Sequence, residues 1–256
     1  MALPKLNVPT YNLRLPISKQ EIVFRPYLTK EEKLLLMAME SKDPKTIISA
    51  ITQVASNCVV IPEKFDVEKI PMIDIEYLFL HLRAKSKSEV LEAKFECRHV
   101  PQEDSEKHCG NILSFTTRVD ELKVEVPDNF NTTIGLTDKI GVVMTLPKYK
   151  DVIESTFSTF NNSDSDGDNT ANLIEETFRV LKKSIVSIYD GDEVYDVADS
   201  KPEELDEFID SLTAEQYKKI ESFFDNLPKI NYKFNVKCPR CQYEHNINFK
   251  DIASFF

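Results

Sequence analysis

Cys238-Pro239-Arg240-Cys241 is the stretch of this 256-residue chain with the clearest chemistry. Two cysteines three positions apart can bring two thiolates to one tetrahedral metal from a tight knuckle, and a structural site then needs two further ligands from elsewhere. Cys97 and Cys109 are the available pair. Each pair lies at the tip of an expected hairpin. Phe95-Glu96-Cys97 leads in and Cys109-Gly110-Asn111-Ile112 leads out; Val236-Lys237-Cys238 leads in and Cys241-Gln242-Tyr243 leads out. Two such hairpins facing one ion form a zinc ribbon. Gly110, just past a ligand, permits the unusual backbone angle that a knuckle needs. The eleven residues between Cys97 and Cys109 exceed the usual ligand spacing, and His99 and His108 inside them are candidates to replace a thiolate. A closed site of four cysteines leaves no coordination position for water, so it implies folding energy and not catalysis. The expected cofactor is one structural zinc on Cys97, Cys109, Cys238 and Cys241.

Other readings of these residues compete. A glutaredoxin-like redox pair needs its first cysteine at a helix N-terminus, where the dipole lowers the thiol pKa; here a strand-like run follows. Thiols without metal are a further reading. Cys58 lies on an apolar helical face and reads as a core residue. Asn162 to Asp168 imitate the start of an EF-hand loop, but with Gly167 at position six the required bidentate Glu falls on Leu173, so an acidic loop is expected. Asp190-Gly191-Asp192-Glu193 reads as a turn. His81 sits in an expected core helix and reads as a hydrogen-bonded structural residue; His245, after the CPRC motif, is placed to support a metal ligand.

No enzyme constellation is found. Five glycines occur where ordinary usage would give roughly 18. No two form a phosphate-cradling loop, and neither G-x-S-x-G nor H-E-x-x-H is present. No apolar run reaches the length of a membrane span, and the N-terminus has no signal-peptide pattern.

The elements that must position the cysteines follow from periodicity. Tyr11 to Leu15 and Ile22 to Phe24 read as strands. Thr29, with Glu32 three residues on, opens a helix as a capping box. Asp43-Pro44 starts a second helix carrying Ile47, Ile48, Ile51, Val54, Ala55 and Cys58. A third, near Met72 to Ala84, is apolar on more than one face and is expected to be buried. Strands are expected at Val90 to Cys97, Asn111 to Phe115, Leu122 to Val126, Thr132 to Leu136 and Ile140 to Leu146. Ile153, Phe157 and Phe160 mark a helix. Ile174, Phe178, Leu181, Ile185 and Ile188 form a further helical stripe. Ser200 with Glu203, and Thr213 with Gln216, open two more helices. Tyr232 to Lys237 and Tyr243 to Phe249 are the last strands. The fold class is α+β, with a split zinc-ribbon-like pair of hairpins joining the middle to the C-terminus. The expected division is 1–89 (hairpin and helices), 90–147 (β-rich, first cysteine hairpin), 148–228 (helical) and 229–256 (second cysteine hairpin on 90–116), packed as one unit.

The chain carries 32 Lys plus Arg against 43 Asp plus Glu, a formal net charge of −11. That argues against wrapping nucleic acid and against docking on an anionic membrane. The charge is concentrated: residues 190–225 hold thirteen acids and three lysines, a local −10, and the rest is close to neutral. A helical hairpin with an acidic outer face is expected there. Glu203, Glu204, Asp206, Glu207 and Asp210 are candidates to dock a basic partner; the plainer reading is a solvated face over the protein's own core.

Several stretches resemble the T4-like bacteriophage baseplate hub subunit and hub assembly protein family. They are Pro9-Thr10-Tyr11-Asn12-Leu13-Arg14-Leu15-Pro16, Phe24-Arg25-Pro26-Tyr27-Leu28-Thr29-Lys30-Glu31-Glu32-Lys33, Ile140-Gly141-Val142-Val143-Met144, Ile188-Tyr189-Asp190-Gly191-Asp192-Glu193-Val194, and the split cysteine pattern. The resemblance runs from residue 9 to the C-terminus. It implies a non-enzymatic role in building the central hub of a contractile tail, in the host cytoplasm, with other hub proteins as partners and without nucleic acid or membrane. An assembly factor that leaves the particle is the favoured form; a structural subunit retained in the virion is the alternative. A zinc-ribbon protein of transcription or nucleic-acid binding is the reading from another class, supported only by a net +3 over residues 226–256.

Overall fold

The computed structural model describes residues 6–41, 43–100, 108–161, 169–231 and 233–248. The N-terminal unit begins with the hairpin β1 (Tyr11–Arg14) and β2 (Glu21–Phe24), followed by the helices α1 (Thr29–Ser41) and α2 (Pro44–Cys58) and the strand β3 (Val59–Ile61). These strands form an antiparallel sheet in the order β1-β2-β3. Asp43 caps α2 by accepting from the backbone N–H groups of Lys45 and Thr46, with Pro44 in the first turn as expected. The cap of α1 differs from the sequence expectation by one residue. Leu28 precedes the helix, its carbonyl accepting from Glu32 N, and Glu31, not Glu32, reaches back to Leu28 N at 2.8 Å. The reason is Arg25, whose Nη2 donates to the buried Glu31 carboxylate at 3.0 Å. A carboxylate out of water needs such a partner, and Glu31 is buried on Arg25, whereas Glu32 is turned outward to Lys87 at 3.3 Å.

The helix α3 (Met72–Ser86) is the central element, and eight of its residues are buried. Ile75, Leu78, Phe79 and Leu82 join the core of β1–β3, α1 and α2, while Ile73, Leu80 and Ala84 face a second core. Serving two cores is why its apolar residues do not fall on a single stripe. Its Asp74, fully buried, accepts from the backbone N–H of Ile17 and of Ser18, both at 2.8 Å, and so pins the β1–β2 turn.

The second core lies under the long hairpin β4 (Val90–Glu96) and β5 (Ile112–Arg118) and under the short pair β6 (Val124–Glu125) and β11 (Lys229–Ile230), with Leu91, Val119, Leu122 and Ile230 buried in it. The third core belongs to the four-stranded antiparallel sheet β10-β9-β8-β7. It contains β7 (Thr133–Gly135), β8 (Ile140–Met144), β9 (Ile185–Asp190) and β10 (Glu193–Asp196). The helices α4 (Tyr149–Asn161) and α5 (Asn169–Ser184) lie between β8 and β9 in the chain, and α6 (Pro202–Asp210) and α7 (Ala214–Asp225) follow β10. Leu181, Leu205, Ile209, Ile220 and Phe223 pack with Val142, Met144 and Ile185.

Two helical expectations are corrected here. The stripe through Ile185 and Ile188 does not continue α5: the helix ends at Ser184, and Ile185–Asp190 is β9. The β-branched Ile185, Val186 and Ile188 with Tyr189 favour a strand, and Gly191, at φ +60°, supplies the tight turn into β10. The cap of α6 shifts by one residue, with Glu204 accepting from Lys201 N at 3.0 Å in place of the Ser200 and Glu203 pairing. The Thr213 and Gln216 capping box forms as expected. The ribbon closes with β12 (Lys233–Lys237) and β13 (Glu244–Asn248). The EF-hand-like stretch 162–168, Tyr232 and residues 249–256 lie outside the described residues.

Candidate metal centre

The two cysteine hairpins meet. The register of β4 and β5, Glu96 opposite Ile112, places Cys97 and Cys109 just past the strand ends, and Lys237 opposite Glu244 does the same for Cys238 and Cys241. Phe115 of β5 packs on Phe234 of β12 with ring centroids 4.6 Å apart, so the hairpins touch along their length as well as at their tips.

Each tip folds as the same knuckle. In the first, Cys97 N donates to Asn111 O at 2.8 Å and Gly110 N donates to Cys97 O at 2.9 Å. In the second, Cys238 N donates to Tyr243 O and Gln242 N donates to Cys238 O, both at 2.9 Å. In both, the residue after the second cysteine is left-handed: Gly110 at φ +66° and Gln242 at φ +59°. The glycine was legible in the sequence; a glutamine in that conformation was not. The insert that makes the first spacing long closes on itself, with Cys109 N donating to His99 O at 2.8 Å. Arg240 ties the knuckles together by donating from Nη1 to Cys109 O at 3.0 Å.

The four sulfurs lie within 4.8 Å of one another. Cys97 Sγ is 3.6 Å from Cys241 Sγ, and Cys109 Sγ is 3.8 Å from Cys238 Sγ. A disulfide would need about 2.05 Å. A tetrahedron of sulfurs at about 2.3 Å from a central zinc has edges of about 3.8 Å, so the set fits one such ion with every position filled by protein. Cys97, Cys109 and Cys238 are buried and Cys241 is partly exposed. The four cysteines can bind a metal such as zinc, which would supply a structural cross-link and no open position for a reaction.

The surroundings suit thiolates unevenly. Burial pushes the Cys97 thiol up to about 12. Burial acts on Cys238 in the same sense, but the backbone N–H groups of Cys241 and Arg240 pull it down to about 6. The knuckle thus prepares one ligand in the charged form that binds metal. Asn111 Nδ2 lies 3.7 Å from Cys238 Sγ. His245 Nε2 lies 3.0 Å from Cys97 Sγ, its ring set edge-on to Phe95 and Tyr243.

The other histidines hold different places. His99 stacks on Tyr243 at 4.1 Å, and His108 pairs with Glu96 at 3.0 Å, so neither takes the place of a thiolate in the cluster. The redox reading lacks its helix, since β13 follows Cys241. His81 does not have the expected hydrogen bond at Nε2, which is buried without a partner beside the Tyr77 ring. Cys58 is fully buried in the first core, where burial raises its thiol to about 11.

Residues 8–256 match the family described as T4 bacteriophage base plate protein. The chain belongs to that family. No curated protein and no solved structure matches it. Membership covers the cysteine centre and all three cores, and it makes other baseplate proteins the partners to expect. Among the described residues of this baseplate protein, no helix is long and apolar enough to cross a membrane.

The acidic candidates all lie on α6, in different settings. Glu203, Glu207 and Asp210 are exposed and, at i, i+4 and i+7, share one stripe. Glu204 caps the helix through Lys201 N, and Asp206 pairs with Lys182 of α5 at 2.6 Å.

Proposed function

We propose that this baseplate protein acts without bond chemistry in assembly of the central hub, as a factor that binds hub components in the host cytoplasm, with one structural zinc on its four cysteines. The observation that carries the reading is the family match across residues 8–256. The sulfur spacing supports the zinc, because a filled tetrahedral site stabilises a fold and leaves no place for substrate. The exposed stripe of Glu203, Glu207 and Asp210 supports a contact surface for a basic partner.

The test is a pull-down with tagged protein from phage-infected cells, combined with quantification of the protein in purified mature particles. Recovery of hub proteins together with absence from particles is the expected result. Stoichiometric presence in particles would overturn the assembly-factor role in favour of a retained hub subunit. Recovery of polymerase or nucleic acid without hub proteins would overturn the hub assignment.

A further inference from the structure

Strand β10 is an open sheet edge. It ends the four-stranded sheet, all four of its residues are exposed, and among the described residues no strand pairs with its outer side. Natural edges are blunted by short length, charged side chains, proline, a bulge or a covering element, and β10 is short and carries two acids. Glu193-Val194-Tyr195-Asp196 contains no lysine or proline, pairs with β9 in regular register, and exposes Val194 at 65 % and Tyr195 at 50 %.

The direction of its backbone follows from the turn. Asp190 and Glu193 flank a two-residue hairpin turn, so they form a hydrogen-bonded pair, and pairs alternate from there. Val194 and Asp196 therefore turn their N–H and C=O groups away from β9, and the Asp196 carbonyl accepts from Ser200 Oγ at 3.1 Å.

Beside this edge a cavity of about 340 Å³ opens between the sheet and α6. Ile188, Tyr195, Val197, Leu205 and Phe208 line it together with Glu204. The surroundings are acidic: Asp190 through Asp210 include ten acids and one lysine. A second copy of this chain does not suit the edge, because pairing β10 with itself would set Glu193 and Asp196 against like charges.

We infer that the β10 edge and the adjoining cavity take an extended segment of a baseplate partner that alternates basic and apolar residues and adds as a fifth strand. Its backbone pairs with Val194 and with the N–H of Asp196, one apolar side chain enters the cavity on the face of Tyr195, and its basic side chains fall on the opposite face with Asp196, in the field of the surrounding acids. Main-chain bonds of this kind give affinity, and pockets and charges give specificity. The inference rests on the proposed role of the acidic segment as a partner surface and adds the mode of binding.

The test uses overlapping short peptides covering the hub proteins of the same phage, arrayed against the full-length protein. The tightest peptide is then measured by fluorescence anisotropy. Its sequence is expected to alternate basic and apolar residues. Val194→Pro removes an outward N–H while leaving the β9 ladder intact, and is expected to weaken binding about tenfold. Val194→Thr, which keeps the N–H, is expected to bind as the parent does. Glu203→Lys with Glu207→Lys is expected to weaken binding at low salt. Unchanged binding by Val194→Pro with loss in the charge-reversed protein would overturn strand addition and leave the acidic surface standing. Unchanged binding by the charge-reversed protein would overturn the acidic surface itself. Backbone amide exchange on the parent protein is the check that needs no variant. Protection of Val194 and Asp196 on peptide binding is expected; its absence, or no binding peptide at all, would overturn the inference.

Discussion

Removing metal from the four-cysteine centre is expected to cost the fold about 5 kcal/mol. The centre joins Cys97 to Cys241, 144 residues apart. An ion that stays on its thiolates in the unfolded chain acts as a cross-link over that length and removes about 5 kcal/mol of unfolded-chain entropy by the loop-closure relation. The tie between Cys109 and Cys238, 129 residues apart, would meet at the same ion and add little, because the long loop would already be closed. The cost is comparable to the whole stability of a marginal domain, about 5–15 kcal/mol. Urea unfolding under reducing conditions, with and without prior chelation, reads the difference from the midpoint and slope. Elemental analysis of the untreated protein is expected to give one zinc per chain, and Cys58→Ser, remote from the centre, to leave that value unchanged. A zinc content below about a tenth of an equivalent, or a stability change below about 1 kcal/mol on stripping bound metal, would refute the cross-link.

Three further perturbations test the frame. Asp74→Ala leaves the N–H groups of Ile17 and Ser18 without their acceptor; at about 1.5–3 kcal/mol for a bond to a charged group, and with water able to reach the exposed Ser18, a loss of about 2–4 kcal/mol is expected in chemical denaturation, with Asp74→Asn intermediate. Gly141→Ala drives a Cβ into the Tyr189 hydroxyl and to 2.5 Å from the backbone oxygen of Ile134, so a loss of about 1–3 kcal/mol is expected, only partly relieved by trimming Tyr189 because the backbone contact remains. Burial alone would raise the Glu31 pKa, but the hydrogen bonds from Arg25 and Leu28 N hold it below the usual carboxylate value. Its stabilisation is therefore present above the unfolded value of about 4.3 and lost as the pH falls through the folded one; Arg25→Gln is expected to flatten that acid limb in denaturation midpoints measured across the range.

The chemistry of the cysteines was legible because it depends on residue type and short-range order. The CPRC motif, a glycine after Cys109 and strand-like runs on both sides were enough to bring together residues 97 and 241. The histidines of the long insert were a false lead, because spacing suggests a ligand shortage where the folded insert leaves none. What decides is Cys109 N finding His99 O, a contact between residues ten apart that no local pattern encodes. Helix starts were legible to within one residue. The slips at Glu31 and Glu204 have one physical origin: adjacent acids, Glu31-Glu32 and Glu203-Glu204, have equal capping chemistry, and the backbone N–H each can reach decides between them. At α1 the deciding partner is Arg25, which comes from the preceding strand's end.

The charge count needed the structure most. A local −10 over residues 190–225 suggests a uniformly acidic face, yet several of those carboxylates are committed within the fold. Glu204 closes the first turn of α6, Asp206 holds Lys182, and Glu193 accepts from the Tyr195 hydroxyl. The outward stripe on α6 reduces to Glu203, Glu207 and Asp210, and it lies on the unit whose sheet ends at β10. Solvation alone would account for acids on an exposed helix. It does not account for the exposed Val194 and Tyr195 on a sheet edge and an apolar cavity in the same unit, since water gains nothing from either. Acids that repel a second copy and attract a basic strand reconcile these features, because they keep the exposed edge from pairing with itself while leaving it open to a partner of opposite charge.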